Sequence, residues 1–176
     1  PEIINIGTGE KKIGIPTGYK KLDNWTGGMS PGEGWVIAAR PGVGKTTIAL
    51  NIIENNPELR IAFFSLEMND ISLLQRQIVS KTGISLADIR LGRLSQEEIE
   101  VIRHQKFNSN CLIDTVPAVD VSYMEEKIQE MGEIDLVVVD YLQIMKVKGD
   151  NRNIEIGKIL GEFLGLCKKL NMSSLI

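Results

Sequence analysis

Apolar residues recur along the chain in two alternating rhythms. Short runs rich in β-branched residues predict strands at Gly34–Ala39, Ile61–Leu66, Cys111–Asp114, Leu136–Asp140 and Ser173–Ile176. Leu136-Val137-Val138-Val139 shows no alternation, the pattern of a strand buried on both faces. Between these runs the apolar spacing lengthens to three and four. Helices are predicted over Lys45–Glu54, stopped by Asn55-Asn56-Pro57, and over Ile71–Lys81, stopped by Gly83. Ser95-Gln96-Glu97-Glu98 is a capping box that starts another, and Ser122 to Glu125 repeats that spacing before a helix facing inward through Met124, Ile128 and Met131. A last helix near Asn153–Leu170 places Ile156, Leu160, Phe163, Cys167 and Leu170 on one stripe. Strands alternating with helices imply an α/β fold, a mostly parallel central sheet flanked by helices on both faces. Residues 1–16 read as a loosely held leader or linker remnant.

Composition narrows the picture only slightly. At 176 residues, 43% hydrophobic and 24% charged, the chain is about one domain long. A net charge of −3 and 5% aromatic residues argue against a bulk electrostatic or stacking grip on nucleic acid. Cys111 and Cys167 lack metal-type spacing and lie in apolar stretches, so they read as buried free thiols; His104, the single histidine, reads as a solvated surface residue. No stretch reaches the roughly 18 apolar residues of a membrane span, and no signal peptide opens the chain, which fits a cytoplasmic protein.

One stretch carries chemistry outright. The strand ending at Ala39 runs into Ala39-Arg40-Pro41-Gly42-Val43-Gly44-Lys45-Thr46 and then an apolar helix, a P-loop with alanine at its first position. Gly42 and Gly44 permit positive φ and turn backbone N–H groups inward, and the helix beginning near Lys45 adds its dipole at the same point. Arg40 to Thr47 would thus wrap the phosphates of ATP, with Lys45 on the β- and γ-phosphates, the Thr46 hydroxyl on Mg²⁺ and Thr47 near the α-phosphate. Asp140 closes the apolar run before it in the Walker B manner and would hold Mg²⁺ through water. Glu67 closes another buried strand. Ligands of open parallel sheets gather at the carboxyl ends of the strands, so Glu67, Asp140 and the loop should converge, with Glu67 polarising the attacking water.

Longer stretches resemble a known family. Pro16-Thr17-Gly18-Tyr19 with Leu22-Asp23, Thr26-Gly27-Gly28-Met29, the P-loop, Ser65-Leu66-Glu67-Met68, Asp140-Tyr141-Leu142-Gln143-Ile144-Met145 and Asn151-Arg152 with Glu155-Ile156 are similar, in consistent order, to the DnaB-type replicative DNA helicases. The resemblance implies a RecA-like ATPase domain over 17–176, incomplete at its C-terminal end. It further implies the motor of a hexameric ring that hydrolyses ATP to move on single-stranded DNA, with a primase or loader as possible partner. It makes Glu67 and Lys45 catalytic, and Thr46 and Asp140 the metal contacts. In such folds the last strand slots between the P-loop strand and the Walker B strand, and Cys111–Asp114 lies outside Ile61–Leu66. A recombination ATPase of the RecA or RadA kind and a nonenzymatic ATP-dependent assembly switch are the alternatives.

Overall fold

The computed structural model describes residues 14–40, 42–117, 119–140 and the backbone of 152–176, with side chains from 156 onward. Its frame is five parallel strands: β1 Gly34–Trp35, β2 Ile61–Ser65, β3 Cys111–Asp114, β4 Leu136–Asp140 and β5 Ser173–Leu175, in the spatial order β1-β5-β4-β2-β3. That is the arrangement expected above, with the last strand between β1 and β4. β2 and β4 are buried at every residue, because each has a neighbouring strand on both sides and a packed layer on both faces.

β1 is shorter than Gly34–Ala39. Its ladder with β5 pairs Gly34 with Ser174 and Trp35 with Leu175, and Ile37 N–H still donates to the Ile176 carbonyl at 2.7 Å beyond it. β2 likewise closes at Ser65, one residue short of the expected Leu66, although Leu66 N–H still donates to the Asp140 carbonyl at 2.8 Å.

Seven helices are described: α1 Lys20–Thr26, α2 Lys45–Glu54, α3 Asp70–Thr82, α4 Leu86–Leu91, α5 Gln96–Arg103, α6 Val121–Met131 and α7 Arg152–Lys169. Alternate residues of each central strand face opposite layers. On one side Ala62, Phe64, Val137 and Val139 pack with Met124 and Ile128 of α6 and Phe163 and Cys167 of α7. On the other, Ile61, Phe63, Leu136 and Val138 pack with Leu50, Ile52 and Ile53 of α2 and Leu73 of α3. The three-layer expectation therefore holds, and the stripes of α6 and α7 are core faces.

Helix starts follow local hydrogen bonds. Ser95 makes the capping box, its hydroxyl accepting from Glu98 N–H while Glu98 accepts from Ser95 N–H. The Ser122 box does not form. Asp120 caps α6 by accepting from Tyr123 N–H at 2.9 Å, and Ser122 lies inside the helix. Val119 and Val121 flank Asp120 and pack on the inner layer, which fixes the turn two residues earlier. α1 and α4 were not anticipated; both are too short to show a periodic stripe.

The segment before β1 is tied to α2 rather than loose from Gly14 onward. Ile15 bridges Met29, and the Asp23 carboxylate accepts from Thr17 hydroxyl (2.6 Å), Thr17 N–H (2.8 Å) and Gly18 N–H (3.0 Å). Asn51, Asn55 and Asn56 at the far end of α2 then donate to Tyr19, Thr17 and Pro16. The earlier leader residues, Pro41, the stretch 141–150 and Asn151 lie outside the described residues.

Candidate nucleotide site

The loop after β1 turns on two glycines. Gly42 and Gly44 hold φ of 80° and 112°, conformations in which a Cβ would be strained, and Gly44 is the residue from which α2 starts. The helix thus opens directly at the loop, with its orphan N–H groups and dipole directed there. Lys45 folds back along the loop, its ammonium donating to the Ala39 carbonyl at 3.4 Å.

Register brings the acids to the same edge. Ser65 of β2 lies opposite Asp140 of β4, so the residues following β2 emerge beside Asp140. The Ser65 hydroxyl donates to the Met68 carbonyl at 2.8 Å and fixes the turn that carries Glu67 outward to an exposed position. Asp140 is buried, as is Thr46, and the Thr46 hydroxyl donates to Asp140 Oδ2 at 2.6 Å. A buried carboxylate is costly without a donor, and this contact supplies one while leaving the hydroxyl's lone pairs available.

Two cavities open here and share Lys45. The larger, about 570 Å³, is lined by Arg40, Gly42, Gly44, Lys45, Thr46, Glu67, Met68, Asn69, Ser72, Arg76 and Arg90. The smaller, about 130 Å³, lies over the ends of β1, β5 and β4 and includes Asp140. Glu67 and the loop therefore share one cavity, and Asp140 reaches it through Thr46. Val43 and Thr47 are exposed and do not line it, and Val43 N–H is turned to the Arg40 carbonyl at 3.4 Å.

The donor set suits a small hard cation accompanied by phosphates. Among the described residues no cluster of three or more His, Cys, Asp or Glu could cage a metal, whereas one carboxylate and one hydroxyl lie together beside the loop. Mg²⁺ is held in this way, by few protein oxygens plus substrate phosphates.

Arg76 and Arg90 escaped the sequence reading. Asn69, Ser72 and Arg76 recur at helical spacing on one face of α3, a signal that was available, but Arg90 sits on an unanticipated short helix. Four cations against one carboxylate make the larger cavity electropositive within an acidic chain. The two cysteines are free, Cys167 buried as expected and Cys111 only half-buried at the start of the outermost strand, and burial pushes the thiol of Cys111 up to about 12 and that of Cys167 up to about 11.

A parallel sheet of this order, with a glycine loop opening a helix and acids on two strand ends, defines a RecA-like α/β P-loop domain. Residues 14–176 match the model of the DnaB-like helicase C-terminal domain, and the chain belongs to that family. It is 36% identical over 170 residues to the replicative DNA helicase DnaB of Nostoc sp., covering 90% of this chain and 19% of that protein. It is 32% identical over 171 residues to the replicative DNA helicase DnaC of Bacillus subtilis, covering 90% and 38%. Among solved structures, a DnaB-like replicative helicase studied with its interactions with primase superposes with a TM-score of 0.87 at 26% identity, over 98% of this chain and 45% of that one. A second solved structure, itself an ATPase domain, superposes with a TM-score of 0.85 at 26% identity, over 98% and 66%. The chain thus spans less than two fifths of the length of these two curated relatives. No described helix is long and apolar enough to cross a membrane.

Proposed function

We propose that this chain is the ATP-binding and hydrolysing motor of a hexameric replicative DNA helicase that acts in the cytoplasm. The observation that carries the reading is the union of Thr46 with Asp140 at 2.6 Å beside a cavity that the P-loop shares with Glu67. The family membership supports it and sets the recombination ATPase aside.

In this reading the loop from Arg40 to Thr47 cradles the phosphates, and Lys45 leaves Ala39 to meet them as a compact charge. Thr46 and Asp140 would hold Mg²⁺, which when bound would neutralise charge on the phosphates. Glu67, exposed at the cavity and fixed by the Ser65 turn, accepts a proton from the attacking water and orients it. Arg40, Arg76 and Arg90 add positive charge where negative charge develops. Residues 17–176 form the ATPase domain, and 1–16 lead into it. Single-stranded DNA is the track, and other copies of the protein, with a primase or loader, are the partners.

Strand displacement on a forked duplex tests this in the intact protein. ATP should drive displacement, and Lys45→Ala should abolish it while the protein stays folded. ATP binding with neither turnover nor strand displacement would instead favour the nonenzymatic assembly switch.

A further inference from the structure

Granted that the larger cavity takes a nucleoside triphosphate, on which this rests, we propose that Arg90 is a further binding residue of the site: its guanidinium grips the terminal phosphate, and Gln75 positions it. Arg90 belongs to α4, outside the loop and outside both acidic strand ends, yet it lines the same cavity as Lys45, Thr46 and Glu67. Its Nε donates to Gln75 Oε1 at 3.2 Å. Gln75 lies on α3 next to Arg76, so the two arginines enter the cavity from adjoining helices.

The chemistry of that tether matters. Gln75 is neutral, so it fixes the guanidinium without cancelling its charge. Arg90 forms no ion pair with a described residue, whereas Arg103 pairs with Glu100 at 2.8 Å and Lys81 with Glu54 at 2.6 Å. Asp88, two positions earlier on α4, is at a spacing that does not face Arg90. With Nε held, the two terminal amino groups remain to meet phosphate oxygens as a planar fork.

The ligand follows from the charge. The chain carries a net −3, yet this cavity gathers four cations around one carboxylate. A polyanion is what such a local reversal attracts. Gly42, Gly44 and the start of α2 account for the phosphates lodged in the loop. Arg76 and Arg90 belong with Glu67 to the remainder of the lining, where the last phosphate and the water that attacks it would lie. Arg90 should therefore distinguish a triphosphate from a diphosphate, and α4 should respond to which of them is bound.

Equilibrium binding of a fluorescent non-hydrolysable ATP analogue and of fluorescent ADP, each with Mg²⁺, tests this in the intact protein. Arg90→Ala should weaken the triphosphate by about tenfold to a hundredfold and the diphosphate by less than about threefold. Arg90→Lys should lose less, and Gln75→Leu should lower the same triphosphate-to-diphosphate ratio by a smaller factor, a shift that a purely structural tether would not produce. Unchanged affinities in Arg90→Ala, equal losses for both nucleotides, or a loss confined to single-stranded DNA would overturn the assignment. If Arg90→Ala fails to fold, Arg90→Lys decides: a drop confined to the triphosphate supports the role, and none overturns it. Lys45→Ala separates the two levels. Nucleotide binding lost there but intact in Arg90→Ala sinks only Arg90, whereas nucleotide binding indifferent to Lys45→Ala sinks the nucleotide reading and Arg90 with it.

Discussion

At the scale of single residues, chemistry is written most plainly where geometry is local. Gly42 and Gly44 were legible because a loop that turns amides inward demands positive φ, and both have it. Thr46 and Asp140 meet across 94 positions because the strand order sets β1, which leads into the loop, one strand away from β4. Arg90 was not legible, since nothing in its neighbours distinguishes it from any helical arginine. The cysteines yield a prediction here. Their thiols are raised to about 12 and about 11, chiefly by burial, so the folded chain holds both protons at pH 8. A disulfide-forming aromatic reagent should then label the native protein slowly and the guanidinium-unfolded protein promptly. The folded state keeps protons that the unfolded chain releases near its ordinary thiol value, so this contribution is complete below about pH 8.5 and is lost as pH rises toward 12. Prompt labelling of both thiols in the native state at pH 8 would contradict this burial.

Among the elements, caps decide boundaries that periodicity leaves loose. Ser95 and Glu98 satisfy one another's amides at the start of α5, and that start was legible from four residues. At α6 two candidate caps overlap, and the sequence offers no local reason to prefer Asp120 over Ser122. Packing decides, because Val119 and Val121 both reach the inner layer only if the turn is at Asp120. Urea unfolding should show Ser95→Ala and Asp120→Ala each costing about 1 kcal/mol, and Ser122→Ala staying within about 0.5 kcal/mol. A large loss at Ser122 with none at Asp120 would restore the discarded cap. The short helices α1 and α4 were illegible for a different reason: 7 and 6 residues are too few to show a stripe. For α4, the pair Ser85 and Gly92 was the available hint, a cap before and a left-handed glycine after.

For the whole molecule, the order β1-β5-β4-β2-β3 is what converts separate motifs into one site. The unalternating β4 announced a strand covered on both faces, and both layers are present. The order itself came from resemblance to a family, since strand patterns do not say which strands are neighbours. Parallel strands place all their carboxyl ends on one edge, so Glu67, Asp140 and the loop converge there with no sequence proximity. Family membership then gives the convergence its meaning.

The most direct measurement is steady-state ATP turnover by the intact protein, with and without single-stranded DNA, beside Glu67→Ala. Hydrolysis should be stimulated by DNA and reduced by about 10²–10⁴-fold in Glu67→Ala, with nucleotide binding retained. A Glu67→Ala protein that turns over ATP at the wild-type rate would contradict the role of Glu67, and turnover indifferent to DNA would contradict the motor.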